Sequence, residues 1–500
     1  MSVLDELLQD AQAGYETQLR QVLVRLLTLL GPDAFDGVEK DGFVSRTLDL
    51  VSAEGVVDQT RLQVAGDLTT ISWWTGLPIA DVEHARLGVI ARAVFLAQVK
   101  AGVDASGVRP DPTAKTAHVV FTAAFVDNAM HSPTRGAFDY VRALAVDPET
   151  RLVEVYHGGV LTERLAAYSR ETLGDLAGKV RFIAAEREPN FLAKAVGSGP
   201  RTFHIWCDAP LNINISLVAL FGPTLMFTCG DVTPVQYADL YWYAHEPAYI
   251  QALWRRRGAP EGFIANYRQL QASPFPPPRP SARRTRADMG FRDDEVIIAT
   301  VGNRLGVDMD QAFVDGVAGA VLADPKLRWV LVGGLQDYWV DAFTQGLGDQ
   351  FRHIAYDDDL PGLLALTDIF ANPFRSGGGN TAILAVDAGS TVLTRGDLGD
   401  VGAFIPAGHR SPDTEAYFAD LAALVADPTL RAARLAEQQA LLARRCDQDR
   451  FAEELKGAVE IAWRRFAKRT PGRLEPLFGA PESKLAALKG GGGRMGRRPR

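Results

Sequence analysis

The sequence predicts an α/β protein in which two Rossmann-like domains follow an all-α domain. Apolar residues near the start recur at three- and four-residue steps, the period of a helix that buries one stripe. From about residue 116, short apolar runs alternate with helical stretches in a β-α-β rhythm, and a proline-rich segment divides that alternation in two. The 500 residues exceed what one core usually organises, and a hydrophobic fraction of 47% fills cores of ordinary size.

Leu4, Leu7, Leu8, Ala11, Tyr15, Leu19, Val22, Leu23, Leu26, Leu27 and Leu30 form the first stripe, and helical patterns at 59–76 and 79–101 are separated by Gly76 and Pro78. Residues 1–110 therefore read as the all-α domain. Strand candidates at His118 to Thr122, Leu152 to His157, Val180 to Ala184, Thr202 to Trp206 and Thr224 to Cys229, with a helix at Arg135 to Ala145, give a parallel, doubly wound domain over 111–235. Between 236 and 285 the period is lost, and Pro274-Phe275-Pro276-Pro277-Pro278-Arg279-Pro280 is a stiff segment suited to an interdomain connection. Strand candidates at Val296 to Val301, Trp329 to Val332, His353 to Tyr356, Ile369 to Asn372 and Thr391 to Thr394 define the second α/β domain, 286–468, closed by helices from about 414. Residues 469–500 end in a Gly- and Arg-rich stretch without apolar period and read as a disordered basic tail.

A net charge of −8 argues against a body built for nucleic acid or an anionic membrane surface. Cys207, Cys229 and Cys446 lack CxxC spacing, so neither a disulfide framework nor a zinc site is supported. The start MSVLDELLQD has no signal-peptide pattern, and no run of roughly 18 apolar residues occurs. A cytoplasmic protein with no membrane span is expected.

Tandem Rossmann-like domains form a cleft at the carboxyl ends of their sheets, where α/β proteins bind ligands. The strongest motif is Asn372-Pro373-Phe374-Arg375-Ser376-Gly377-Gly378-Gly379-Asn380-Thr381, a Gly-rich turn between a strand and a helix. Such a helix start offers amides and dipole to a diphosphate, and Asn380 and Thr381 add donors; the plainer reading is a capped loop. Asn303 and Arg304 follow the first strand of this domain, so Arg304 either pairs with phosphate at the same sheet edge or is a surface arginine. Asp387, seven residues after Asn380 on one helical stripe, either holds a ribose or faces solvent. No GxxxxGK[ST] occurs and no strand is followed by GxGxxG, which leaves a nucleotide hydrolase and a hydride-transfer cofactor unsupported. The Asp357-Asp358-Asp359 run reads as a helix cap with first-turn acids, and His204, Asp208, His245 and Glu246 are weaker loop candidates.

The NPFxxGGGNT segment, with its helix and Ala388-Gly389, resembles the donor site of GT-B glycosyltransferases. Within that class it is most similar to the family of bacterial cytoplasmic adhesin N-glucosyltransferases and O-linked N-acetylglucosamine transferases. The resemblance implies a nucleotide diphosphate sugar as donor, a UDP-hexose foremost, with the donor contacts at Asn303, Arg304, Ser376 to Thr381 and Asp387. It also implies an acceptor that is a protein or a glycan, metal-independent transfer with inversion, and no cofactor. His131-Ser132-Pro133-Thr134-Arg135 is similar to a segment lining the family's acceptor cleft, so His131 is the candidate catalytic base, or else a histidine that caps its loop. The family's lysine after the first strand of the donor domain is replaced here by Val307. That departure keeps open a catalytically silent scaffold that binds a partner, and a sugar-nucleotide epimerase is a further alternative.

Overall fold

The computed structural model describes residues 2–12, 15–53, 55–100, 112–122, 125–126, 131–185, 191–197, 199–206, 213–228, 232–273, 284–375, 377–396 and 400–469. Five helices, Val3–Gln9, Glu16–Leu30, Phe43–Val51, Asp58–Thr75 and Asp81–Lys100, build the N-terminal unit. Ser2 starts the first one: its hydroxyl accepts from the Asp5 amide, and the Asp5 carboxylate accepts from the Ser2 amide, which satisfies donors a helix start leaves open. The stripe residues Leu7, Leu19, Leu23 and Leu26 pack with Phe43, Leu48, Leu68 and Ile71 in one core. The fifth helix belongs to two cores, since Leu87 joins this one while Phe95 and Leu96 join that of the following sheet. Asp81 at its start pairs with Arg256 and Arg257 at 3.1 and 2.9 Å.

The first sheet is parallel throughout, in the order β3-β2-β1-β4-β5-β6-β7, with β1 Ala117–Thr122, β2 Leu152–His157, β3 Val180–Ala184, β4 Thr202–Trp206, β5 Thr224–Phe227, β6 Leu240–Tyr243 and β7 Tyr267–Gln269. Every residue of β1 and β4 is buried, as expected for strands with helices on both faces. β6, β7 and the helix Pro247–Arg256 fall where the sequence suggested a connection, so this domain continues to about residue 273. The two strands are four and three residues long. Pro274 to Pro280 lie outside the described residues.

The second sheet is also parallel, in the order β10-β9-β8-β11-β12-β13, with β8 Val296–Val301, β9 Leu327–Val332, β10 Phe351–Ile354, β11 Ile369–Ala371, β12 Thr391–Arg395 and β13 Arg410–Ser411. Alternate residues feed opposite layers: Ile297 and Ala299 face one core, Ile298 the other. Tyr417, Leu421 and Leu424 of the helix Thr414–Ala426 and Leu442 of Pro428–Arg445 cover it.

The last helix, Gln448–Lys468, departs from the expected 286–468 unit, because it crosses back to the first sheet. Its buried face, Phe451, Leu455, Ala458, Val459 and Ala462, belongs to the first core. Phe451 stacks on Trp242 with ring centroids 5.9 Å apart, and Glu460 pairs with Lys115 at 2.6 Å. Arg469, placed by the sequence in the tail, instead pairs with the buried Asp239 at 3.0 Å; residues 470–500 lie outside the described part. In both sheets the strand order reverses once, between β1 and β4 and between β8 and β11, and at such points the flanking loops diverge to leave a crevice.

Candidate functional site

At the β8/β11 reversal the loop after Val301 faces the turn after Ala371. Arg375, from that turn, spans the gap. Its guanidinium donates to the Val301 carbonyl at 2.8 Å and to Asn372 Oδ1 at 3.2 Å, and pairs with Asp308 at 3.1 Å. Both side chains of that ion pair are nearly removed from solvent. A Cβ on Gly302 would run into the same guanidinium, which explains a glycine directly after β8.

The Gly-rich turn is shaped by the protein's own groups at two of its three glycines. Gly378, at φ +108°, is the residue from which the helix Gly379–Ala388 starts, a conformation that a side chain disfavours. A Cβ there would also sit 2.7 Å from Asn372 Oδ1, and a Cβ on Gly379 would sit 2.8 Å from the Asp400 carboxyl carbon. Of the three, only Gly377 would place an added Cβ with nothing within 4 Å among the described residues. The amides of Gly379, Asn380 and Thr381 have no partner within the helix, as in any first turn. That of Gly379 donates to Asp400 Oδ1 at 2.9 Å, while Asn380 and Thr381 are partly exposed.

Asp400 joins the two domains. Its second oxygen accepts from the Tyr243 hydroxyl, at the end of β6, at 2.9 Å. Loss of water raises the pKa of its carboxyl, against the opposing pull of His245, the Tyr243 hydroxyl, the Gly379 amide and Arg375. The sequence reading missed Asp400, Arg375 and Tyr243. Their available signal was position, since each lies at or just beyond the carboxyl end of a strand.

The remaining expected residues fall in several places. Asn303 is exposed in the loop after β8. The Arg304 guanidinium lies 3.7 Å from the centroid of the Trp73 ring, donates to the Trp73 carbonyl at 2.6 Å and pairs with Asp308 at 2.8 Å. It is thus committed to the all-α unit, which corrects the expectation of an arginine turned toward phosphate from across the Gly-rich turn. Val307 packs so closely on Gly76 of the same unit that a Cβ at Gly76 would clash with it. Asp387 shares a stripe with Asn380, but seven residues carry it about 10 Å along the axis. It is exposed near Cys446 rather than at the ligand end, so the ribose reading is corrected too. Ser376 and Asp208 lie outside the described residues.

His131 is the N-cap of the helix Ser132–Val146: Nδ1 accepts from the Thr134 amide at 3.3 Å and lies 2.8 Å from its hydroxyl. Burial pushes its pKa down to about 4, so it is uncharged near neutrality. These are the contacts of a capping histidine, at the carboxyl edge of the first sheet. His204 is in the core, 3.1 Å from His118 and 2.7 Å from the Tyr140 hydroxyl. His245 and Glu246 follow β6 and face the second domain, where their charges act on Asp400 and on Arg410 and Arg445. Asp359 caps its helix as expected, accepting from the Gly362 amide at 3.2 Å.

Among the described residues no group of three or more His, Cys, Asp or Glu side chains could hold a metal ion, and no helix is long and apolar enough to cross a membrane. No family model matches the sequence, and no curated protein matches it. Among solved structures, a mutant of the O-GlcNAc transferase of Thermobaculum terrenum is similar at a TM-score of 0.55 and 15% identity, over 93% of this chain and 98% of that one. A glycosyltransferase from Rickettsia africae ESF-5 follows at 0.49 and 10%, over 69% and 98%. The pneumococcal O-GlcNAc transferase GtfA, in complex with UDP and GlcNAc, gives 0.41 and 14%, over 54% and 59%.

Proposed function

We propose that this chain, whose two parallel-sheet domains have the GT-B fold, is a glycosyltransferase that takes a hexose from a nucleotide diphosphate sugar, with UDP as the expected nucleotide. The observation that carries this reading is the open side of the turn: Gly377, where an added Cβ would meet nothing within 4 Å among the described residues, followed by the partly exposed Asn380 and Thr381 at the start of a helix beside the β8/β11 crevice. Peptide amides and a helix dipole there offset the charge that grows on a leaving diphosphate. The acceptor, a protein side chain or a glycan, would approach from the first sheet. His131 is a weak base candidate because Nδ1 is engaged with Thr134. His245 is the alternative base candidate, because it follows β6 at the carboxyl edge of the first sheet, beside the Tyr243 whose hydroxyl reaches Asp400.

A second reading is favoured by specific contacts. Arg304 is held by Trp73 and Asp308, and Val307 by Gly76, so the loop where a donor cation was expected is covered by the all-α unit. A silent scaffold has such a loop. Thermal-shift and turnover measurements with UDP-, GDP- and dTDP-sugars on the wild type and on Asn380→Ala separate the readings. Stabilisation and slow sugar release with one donor, lost in the variant, support transfer; binding without release supports the scaffold, and no response to any donor sinks transfer and leaves the scaffold in front.

A further inference from the structure

The Gly379 amide, which a diphosphate would be expected to use, already holds a carboxylate. Asp400 Oδ1 accepts from it at 2.9 Å, and Gly379 must lack a side chain for the carboxyl carbon to come so close. Oδ2 is engaged by the Tyr243 hydroxyl of the other domain at 2.9 Å. One internal anion therefore occupies the helix start and ties the first sheet to the turn. Among the described residues His245 and Arg375 are cations whose charge reaches Asp400, and Arg375 is already engaged with Asp308, Asn372 and Val301. A phosphate brought to this turn meets the Asp400 carboxylate at the amide it would use.

We propose that Asp400 is an internal competitor for the phosphate seat, which a nucleotide diphosphate must displace from the Gly379 amide, releasing Tyr243 and with it the tie between the domains. This rests on the nucleotide-binding reading above. It makes Asp400 and Tyr243 determinants of donor affinity, and it links filling of the seat to freedom of the first domain. The displacement breaks two hydrogen bonds of Asp400 and forms one from the Gly379 amide to a phosphate oxygen; no covalent bond changes.

Calorimetric titration of the full chain with UDP tests it, using the wild type, Asp400→Ala, Asp400→Asn and Tyr243→Phe. Asp400→Ala empties the seat and is expected to bind UDP about tenfold more tightly than the wild type. Asp400→Asn keeps shape while removing charge, which guards against misfolding of the alanine variant, and is expected to bind several-fold more tightly. Tyr243→Phe loosens Asp400 from one side and is expected to tighten binding about threefold. A carboxylate that merely held the turn in shape would give the opposite sign. UDP binding that is no tighter in either Asp400 variant than in the wild type overturns the competitor while leaving nucleotide binding intact. No heat from the wild type or any variant overturns the nucleotide reading, and this inference with it.

Discussion

Asp308 is asked to hold two arginines at once, Arg304 at 2.8 Å and Arg375 at 3.1 Å, with only 7% of its side chain exposed. Asp308→Ala leaves the Arg375 guanidinium buried without its carboxylate and is expected to cost about 3 to 5 kcal/mol, measured by urea unfolding. Arg304→Ala loses an outer pair and the stacking on Trp73, and should cost about 1 kcal/mol. The turn allows a sharper contrast. Gly377→Ala meets no neighbour and should leave stability within about 0.5 kcal/mol, yet weaken nucleotide binding if the ligand passes there. Gly379→Ala drives a methyl against Asp400 and should destabilise by about 1 to 3 kcal/mol. The place of the turn was legible because glycines and a helix start are local signals. What each glycine accommodates was not, since Asp400 lies 21 residues from Gly379 in the chain and only the sheet brings them together.

At the scale of elements, β1, β4 and the helix Ser132–Val146 are joined by a buried polar chain in which His118 meets His204, and His204 meets Tyr140. Burial lowers the His118 pKa to about 4 and that of His204 well below its usual value, with His118 adding to the effect on His204. Folded values below the unfolded one mean that the unfolded chain binds more protons in the acid range. Their contribution is therefore present above about pH 6.5 and lost as pH falls toward 4, with a slope of at most about 1.4 kcal/mol per pH unit for each proton. Urea midpoints measured from pH 7.5 to 4.5 should fall in the wild type and fall less in His118→Phe; equal slopes would exclude the pair as the cause. The longer strands could be read from apolar runs of five or six residues, such as Leu152–His157. β7 and β13 could not, because Tyr267-Arg268-Gln269 and Arg410-Ser411 carry no apolar run, and neighbouring strands rather than local preference hold them extended.

For the molecule as a whole, the departure that matters is the last helix, whose amphipathic stripe announced a helix but not which core would receive it. Phe451→Ala should remove about 3 to 5 kcal/mol from the first domain, although it lies more than 170 residues beyond that domain's last strand in the chain. The loss should appear in the fluorescence transition of Trp206 and Trp242, the latter stacked on Phe451. The same helix sets a schedule for biosynthesis. Lys115 and its partner Glu460 are 345 positions apart, a span that a ribosome covers in roughly 20 to 70 s at about 5 to 20 residues per second. From the end of β7 at Gln269 until the last helix is made, the face of the first sheet that awaits Phe451, Leu455 and Ala462 stands uncovered on the nascent chain, while the second sheet emerges. The first sheet is thus begun before the second and covered after it, and during synthesis its uncovered face is the surface a chaperone would meet.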